Sequence, residues 1–182
     1  ELSMIQAEIE KQLLAYLGNE PQAVSPALAA GEIGCSGDPE KFSETARKLE
    51  KEGLLIITKK GNLLSLKAGC LLRAKIISQS PRFSFARPCD GGEDIFISSS
   101  FLGAAMLGDL VLLKNVSESP KGLSGEVDRI VKPGSHEFTG TVVADAFRHR
   151  GLELKTDASF RYSLPIETSK RKGLRVKEGQ KI

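Results

Sequence analysis

The chain has 182 residues, with 40% hydrophobic and 27% charged residues, enough for one large globular domain or two to three small ones. A net charge of +3 is too small to define a partner, and no apolar run approaches about 18 residues, which excludes a membrane-spanning helix. Cys35, Cys70 and Cys89 match neither a zinc spacing nor a disulfide framework, so reduced thiols and a cytoplasmic location are expected. No secretory leader is visible, and the first residue is Glu1 rather than Met, which points to a longer parent chain. Charge is unevenly spread: residues 1–70 carry 8 basic and 10 acidic groups, and residues 71–182 carry 18 basic and 13 acidic. The later part is the better candidate for contact with phosphate.

Ser3 to Leu17 reads as a helix, with Ile5, Ile9, Leu13 and Leu17 at helical spacing, Ser3 as the amino-terminal cap and Gly18-Asn19 as the stop. Ser25-Pro26 opens a shorter helix, with Leu28 and Ile33 on its apolar side and Gly34 at its end. Asp38-Pro39-Glu40 opens a third, in which Phe42, Ala46 and Leu49 form a stripe that runs to Gly53. Leu54–Thr58 and Leu63–Leu66 are strand-like around the turn Lys59-Lys60-Gly61-Asn62. Three helices followed by a hairpin predict a winged helix-turn-helix domain over residues 1–68. The charged residues of its third helix sum to zero, and no cluster of Arg, Asn or Gln awaits base edges.

From Cys70 the hydrophobic period changes from helical to alternating. The segments LLRAKIIS, FSFARP, DIFIS, LVLLKNV and LSGEVDRIVK predict five strands, with a turn or short helix in FLGAAMLGD and a polar loop over Glu118–Gly122. This spacing fits a small closed barrel of the OB type over residues 69–134. Within it, Phe83, Phe85 and Arg87 share one strand face, as do Asp94, Phe96 and Ser98, while Ile95 and Ile97 point the other way. Burying the isoleucines leaves three phenylalanines on an open face beside Arg87. Such a face is a stacking platform for unpaired bases, with Lys75, Arg82 and Arg87 placed to hold phosphates or to lie flat beside the rings. The competing reading, that Phe83 and Phe85 are ordinary core residues, would also have to bury Arg87 or Asp94.

The theme recurs over residues 135–182. GTVVAD, GLELKTD and YSLPIET occupy the places of the first three strands, and VKEGQKI aligns with LGDLV, Gly179 standing where Gly108 does. A second barrel of the OB type is expected, incomplete at Ile182, with Leu152 and Leu154 in place of the two phenylalanines. Eight basic groups against three acidic ones lie between Lys155 and Ile182, which makes Lys170, Arg171, Lys172 and Arg175 candidates for phosphate contact. The fold class is therefore α+β and multidomain: a winged helix, a cold-shock-like OB barrel and a truncated second barrel. Asp90, Glu93 and Asp94 lack metal-cage spacing, and His136 and His149 are isolated, so neither a metal site nor a catalytic residue is expected.

Phe83-Ser84-Phe85, Asp94-Ile95-Phe96-Ile97 and Gly108-Asp109 resemble the first cold-shock domain of the ribonuclease II / ribonuclease R family, and the domain order resembles that family's amino-terminal half. Ser84 departs from the glycine usual there, which should reduce close backbone approach. The resemblance implies single-stranded RNA as partner, with other nucleic acid as a further partner and no membrane. It also implies a magnesium-dependent 3′-to-5′ exoribonuclease as parent, with its aspartate-rich catalytic domain downstream and no cofactor in this chain. The alternative is a winged-helix DNA-binding regulator whose barrels serve dimerisation or effector binding.

Overall fold

The computed structural model describes residues 5–134, 139–144, 151–156, 164–166 and 177–182. Helix α1 (Gln6–Asn19) buries Ile9, Leu13 and Leu17, spaced four apart on one face. The stripe starts one turn later than the spacing suggested. Ile5 is 75% exposed because it occupies the extended capping position ahead of the first turn, where no side-chain acceptor is present. Ser3 lies outside the described residues.

Helix α2 (Pro26–Glu32) starts as expected: the Ser25 hydroxyl accepts the Leu28 N–H at 3.3 Å. Its buried side is Ala29 and Ala30, followed by Ile33; Leu28 falls off that side and is 53% exposed. In α3 (Pro39–Lys51) the Asp38 carboxylate accepts the Lys41 N–H at 3.1 Å, and Phe42, Thr45, Ala46 and Leu49 are buried. The helix closes with a paired cap: Gly53 N–H donates to Glu50 O and Leu54 N–H to Leu49 O, both at 2.9 Å. This cap places Gly53 at φ +67°, the left-handed region that favours glycine.

Strands β1 (Leu55–Ile57) and β2 (Leu63–Ser65) form an antiparallel hairpin turning at Lys59–Asn62. Val24 adds a bridge to Leu63 through two hydrogen bonds of 2.8 Å. The three helices and the hairpin share one core, which includes Ile9, Leu13, Phe42, Leu49, Leu55 and Leu63.

A separate core fills a closed five-stranded barrel of OB-like topology. It consists of β3 (Leu72–Gln79), β4 (Phe83–Pro88), β5 (Ile95–Ser98), β6 (Leu110–Ser119) and β7 (Gly122–Lys132), in the order β3-β4-β5-β7-β6 with β6 returning to β3. All pairs are antiparallel except β5 with β7. Ala74, Ile76, Ala86, Ile95, Ile97, Val111 and Leu113 point inward. The connection between β6 and β7 is tighter than the polar loop expected from composition, since only Pro120 and Lys121 lie outside the strands. The Ser119 hydroxyl accepts the Lys121 N–H and donates to Gly122 O, stiffening this turn.

The Gly108-Asp109 pair closes one end of the barrel. Gly108 N–H donates to Ile76 O at 2.8 Å, and Ile76 N–H donates to Asp109 O at 2.9 Å. The Asp109 side chain is 2% exposed and accepts from Met106 N–H at 2.8 Å and Gly134 N–H at 2.7 Å. One buried carboxylate thus ties the turn before β6 to the backbone after β7.

Two compact units are formed, Glu1–Gln79 with Phe83–Gly134, and Ser80–Arg82 with Ser135–Ile182. The second contains an antiparallel sheet of β8 (Gly140–Ala144), β9 (Leu152–Thr156) and β10 (Leu164–Pro165) in the order β10-β9-β8. Its hydrogen bonding repeats that of the barrel. Gly179 N–H donates to Val142 O and Val142 N–H to Gln180 O, both at 2.8 Å, as Gly108 and Asp109 do around Ile76. Gly108 and Gly179 have φ of +90° and +81°. The register corrects one expectation. Val142 pairs with Leu154 as Ile76 pairs with Ala86, so Leu154 is the buried equivalent of Ala86 and Glu153 stands in the place of Phe85.

Two substitutions test this packing. Asp109→Ala removes two charge-assisted hydrogen bonds and should lower unfolding stability by about 2–3 kcal/mol in a urea titration; an unchanged midpoint would contradict the closure described. Ser84 is fully buried opposite Ile97, and its hydroxyl has no hydrogen-bond partner among the described residues. Ser84→Ala should therefore raise stability by about 1 kcal/mol, and a loss of stability would mean that the hydroxyl is satisfied.

Candidate functional site

The alternation of β4 and β5 decides which side chains meet solvent. Ser84, Ala86, Ile95 and Ile97 are fully buried, which forces Phe83, Phe85, Arg87 and Phe96 to the outer face. Phe85 lies directly opposite Phe96, and Phe83 opposite Ser98. The ring centroids of Phe83 and Phe85 are 5.7 Å apart, those of Phe83 and Phe96 5.7 Å, and those of Phe85 and Phe96 5.9 Å. Phe85 meets both neighbours edge-on, at 77° and 75°, while Phe83 and Phe96 are tilted by 30°. Edge-to-face pairs are worth about 0.5–1.5 kcal/mol each, so the cluster partly stabilises itself. Phe83 at 38% and Phe96 at 39% exposure still present open ring surface. That surface can stack planar unsaturated rings.

Ser84 points into the barrel, away from this surface. Its presence in place of a glycine therefore does not limit backbone approach on the ring face, as the resemblance suggested it should.

Arg87 and Asp94 close one end of the platform with a two-pronged ion pair: Arg87 Nε lies 2.9 Å from Asp94 Oδ1 and Nη2 lies 3.0 Å from Oδ2. The hydrogen bond from Arg87 holds the Asp94 carboxyl below its ordinary range, and the same bond raises Arg87. Lys75 is exposed on β3 directly opposite Arg87. Arg82 is exposed in the turn that precedes β4, within the segment Ser80–Arg82. Lys170, Arg171, Lys172 and Arg175 lie outside the described residues.

The structure adds residues that strand parity could not reveal. A groove of about 340 Å³ opens beside the rings, lined by Phe85, Asp94 and Phe96 on one side and by Ser119, Lys121, Leu123 and Ser124 on the other. The parallel pairing of Phe96 with Ser124 brings the tip of the β6–β7 hairpin to the platform. Only the barrel topology supplies that neighbour, because Phe96 and Ser124 are 28 positions apart in sequence.

Both Asp94 oxygens are engaged by Arg87, and among the described residues no group of three potential metal ligands gathers. Among the described residues no helix is long and apolar enough to cross a membrane.

Taken with the ring cluster, the closed barrel defines the class as an OB-like β-barrel with an exposed aromatic face, carried beside a three-helix and hairpin unit. No protein-family model matches the chain. Ribonuclease R from Acidithiobacillus ferrooxidans is 27% identical over 136 residues, which cover 73% of this chain and 31% of that protein. The chain thus spans about a third of the length of this relative.

The ion pair gives a pH test. Asp94 has its folded-state pKa depressed, so its contribution to stability is complete above the ordinary carboxylate value near 3.8 and is lost as the pH falls through the depressed value. A carboxyl NMR titration should place the Asp94 midpoint below 3.8, and Arg87→Gln should return it upward. A midpoint that Arg87→Gln leaves in place would remove Arg87 as the cause.

Proposed function

We propose that this chain is the RNA-binding amino-terminal region of a ribonuclease R/II-type 3′-to-5′ exoribonuclease, acting in the cytoplasm. In this reading residues 1–68 are a winged helix, 69–134 a first cold-shock domain and 135–182 part of a second barrel. The observation that carries it is the cluster of Phe83, Phe85 and Phe96 on the outer face of β4 and β5, backed by the similarity to ribonuclease R.

The chemistry follows from the surface. Bases of a single strand stack on the rings without strong sequence preference, because every base has a π-face. Lys75 and Arg87 counter the phosphates beside the platform, with Arg82 and the basic residues Lys170, Arg171, Lys172 and Arg175 as further contacts. A duplex offers no unpaired base to the rings. The chain's own residues therefore hold and orient the strand, while hydrolysis belongs to a magnesium-dependent domain downstream in the parent chain. Support for the winged helix comes from the three helices, the hairpin and the Val24 bridge to Leu63. Support for the second barrel comes from the hydrogen bonds of Gly179 and Gln180 with Val142, which follow the same pattern as those of Gly108 and Asp109 with Ile76.

Titration with single-stranded RNA and with duplex DNA at two salt concentrations tests this reading. Single-stranded RNA should bind more tightly at both, and a preference for duplex DNA would overturn it. Phe85→Ala should weaken binding of single-stranded RNA by roughly 1–3 kcal/mol in a protein that remains folded. Unchanged affinity would remove the rings from the interface.

A further inference from the structure

The barrel carries a second ordered surface, on strands that do not bear the rings. Strand β6 lies between β3 and β7, and the register sets Arg73 opposite Leu112 and Leu112 opposite Arg129. In a neighbouring row Lys75 faces Leu110, and Leu110 faces Lys132. Cross-strand partners share a sheet face. Ala74, Val111 and Leu113 are in the barrel core, so both rows lie on its outside. Four cations therefore flank a leucine floor in two rows. Strand spacing puts the two flanks roughly 10 Å apart across β6, with same-face neighbours along β3 about 7 Å apart.

A break in the pairing makes this possible. Arg129 and Lys132 are three residues apart and would face opposite sides of a regular strand. The register shift between Leu110 and Val111 leaves Val131 unpaired and turns Lys132 to the same face as Arg129. Val131 in turn meets the helical part of the same unit, where a Cβ added to Gly53 would lie 2.6 Å from its Cγ2.

Like charges gathered on one face repel, and solvated basic faces usually carry acids among them. Here Arg73, Lys75, Arg129 and Lys132 take part in no salt bridge among the described residues. The neighbouring carboxylates are engaged elsewhere: Asp94 with Arg87, Asp128 with Lys114, and Asp109 with two backbone N–H groups. Leu112 is fully buried and the Nε of Arg73 beside it is enclosed, so the open part of this face consists of Lys75, half-buried Leu110, Arg129 and Lys132. Over such a surface the field of unpaired cations is screened less than in open water.

We infer that the outer face of β3, β6 and β7 is a track for the sugar–phosphate backbone of a nucleic acid strand, separate from the ring platform and continuous with it through Lys75 and Arg87. This rests on the RNA-binding reading above and deepens it. A strand long enough to leave the rings runs over Lys75 toward Arg129 and Lys132, where the contacts are made to phosphate alone.

The test uses the whole 182-residue chain and uridine oligomers of about 6 and about 18 nucleotides, titrated over a series of salt concentrations. The double variant Arg129→Gln, Lys132→Gln should lower the slope of log affinity against log salt by about 1.4 for the long oligomer, at about 0.7 for each lost phosphate contact. It should leave the short oligomer, which the ring platform satisfies, within twofold of the parent protein. Lys132→Gln alone should lower the long-oligomer slope by about 0.7. An unchanged long-oligomer slope in the folded double variant, or equal losses on both oligomers, would overturn the track. Ring-dependent binding that survives in that case leaves the platform standing. If the parent protein binds neither oligomer, platform and track both fall.

Discussion

Strands β4 and β5 each hide only one of their faces, and that constraint makes the aromatic surface of the barrel. Closure of the barrel fixes Ala86 opposite Ile95 and Ser84 opposite Ile97 on the inside. Phe83, Phe85 and Phe96 then have nowhere to go but outward. A shift of one residue would bury the rings and expel the isoleucines, and it would also drag Arg87 and Asp94 into the core. The ion pair between those two residues thus belongs to the same register as the rings. Asp109 secures the closure on which this register depends, by holding the turn before β6 and the end of β7 together.

The two compact units use the same device in different ways. Gly108 and Gly179 adopt the same left-handed backbone and make the same bond to the first strand of their sheets. The inner positions are apolar in both, with Ile76 and Ala86 matched by Val142 and Leu154. The outer positions differ. Glu153 and Lys155 stand where the barrel has Phe85 and Arg87, so the second sheet keeps the packing and exchanges aromatic surface for charge. Core positions preserve a fold, while outer positions are free to carry different contacts.

Much of this was legible in the sequence because the physics involved is local. Helix caps at Ser25 and Asp38, the turn at Gly61-Asn62 and the period-two alternation of β4 and β5 each depend on a few neighbouring residues. Sequence spacing did less well where a face is shared unequally. Ile5 and Leu28 match a helical repeat yet lie outside the core, because the helix begins after Ile5 and the small side chains of Ala29 and Ala30 fill the buried side of α2. Leu154 falls one residue from the place that its spacing suggests, since alternation fixes parity only after the pairing partner is known. Features made by topology were not legible at all. The groove between Phe96 and Leu123 needs the parallel pairing of β5 with β7, and the cation rows need β6 between β3 and β7 together with the unpaired Val131.

The central claim is that unpaired RNA bases stack on the three rings. Aromatic and backbone NMR spectra recorded while a short single-stranded RNA is added report on that contact directly. The largest shifts should fall on the Phe83, Phe85 and Phe96 rings, with neighbouring changes at Ser98 and Lys121. Shifts confined to α3 and the hairpin tip at Lys59-Lys60, with the ring signals unmoved, would contradict it.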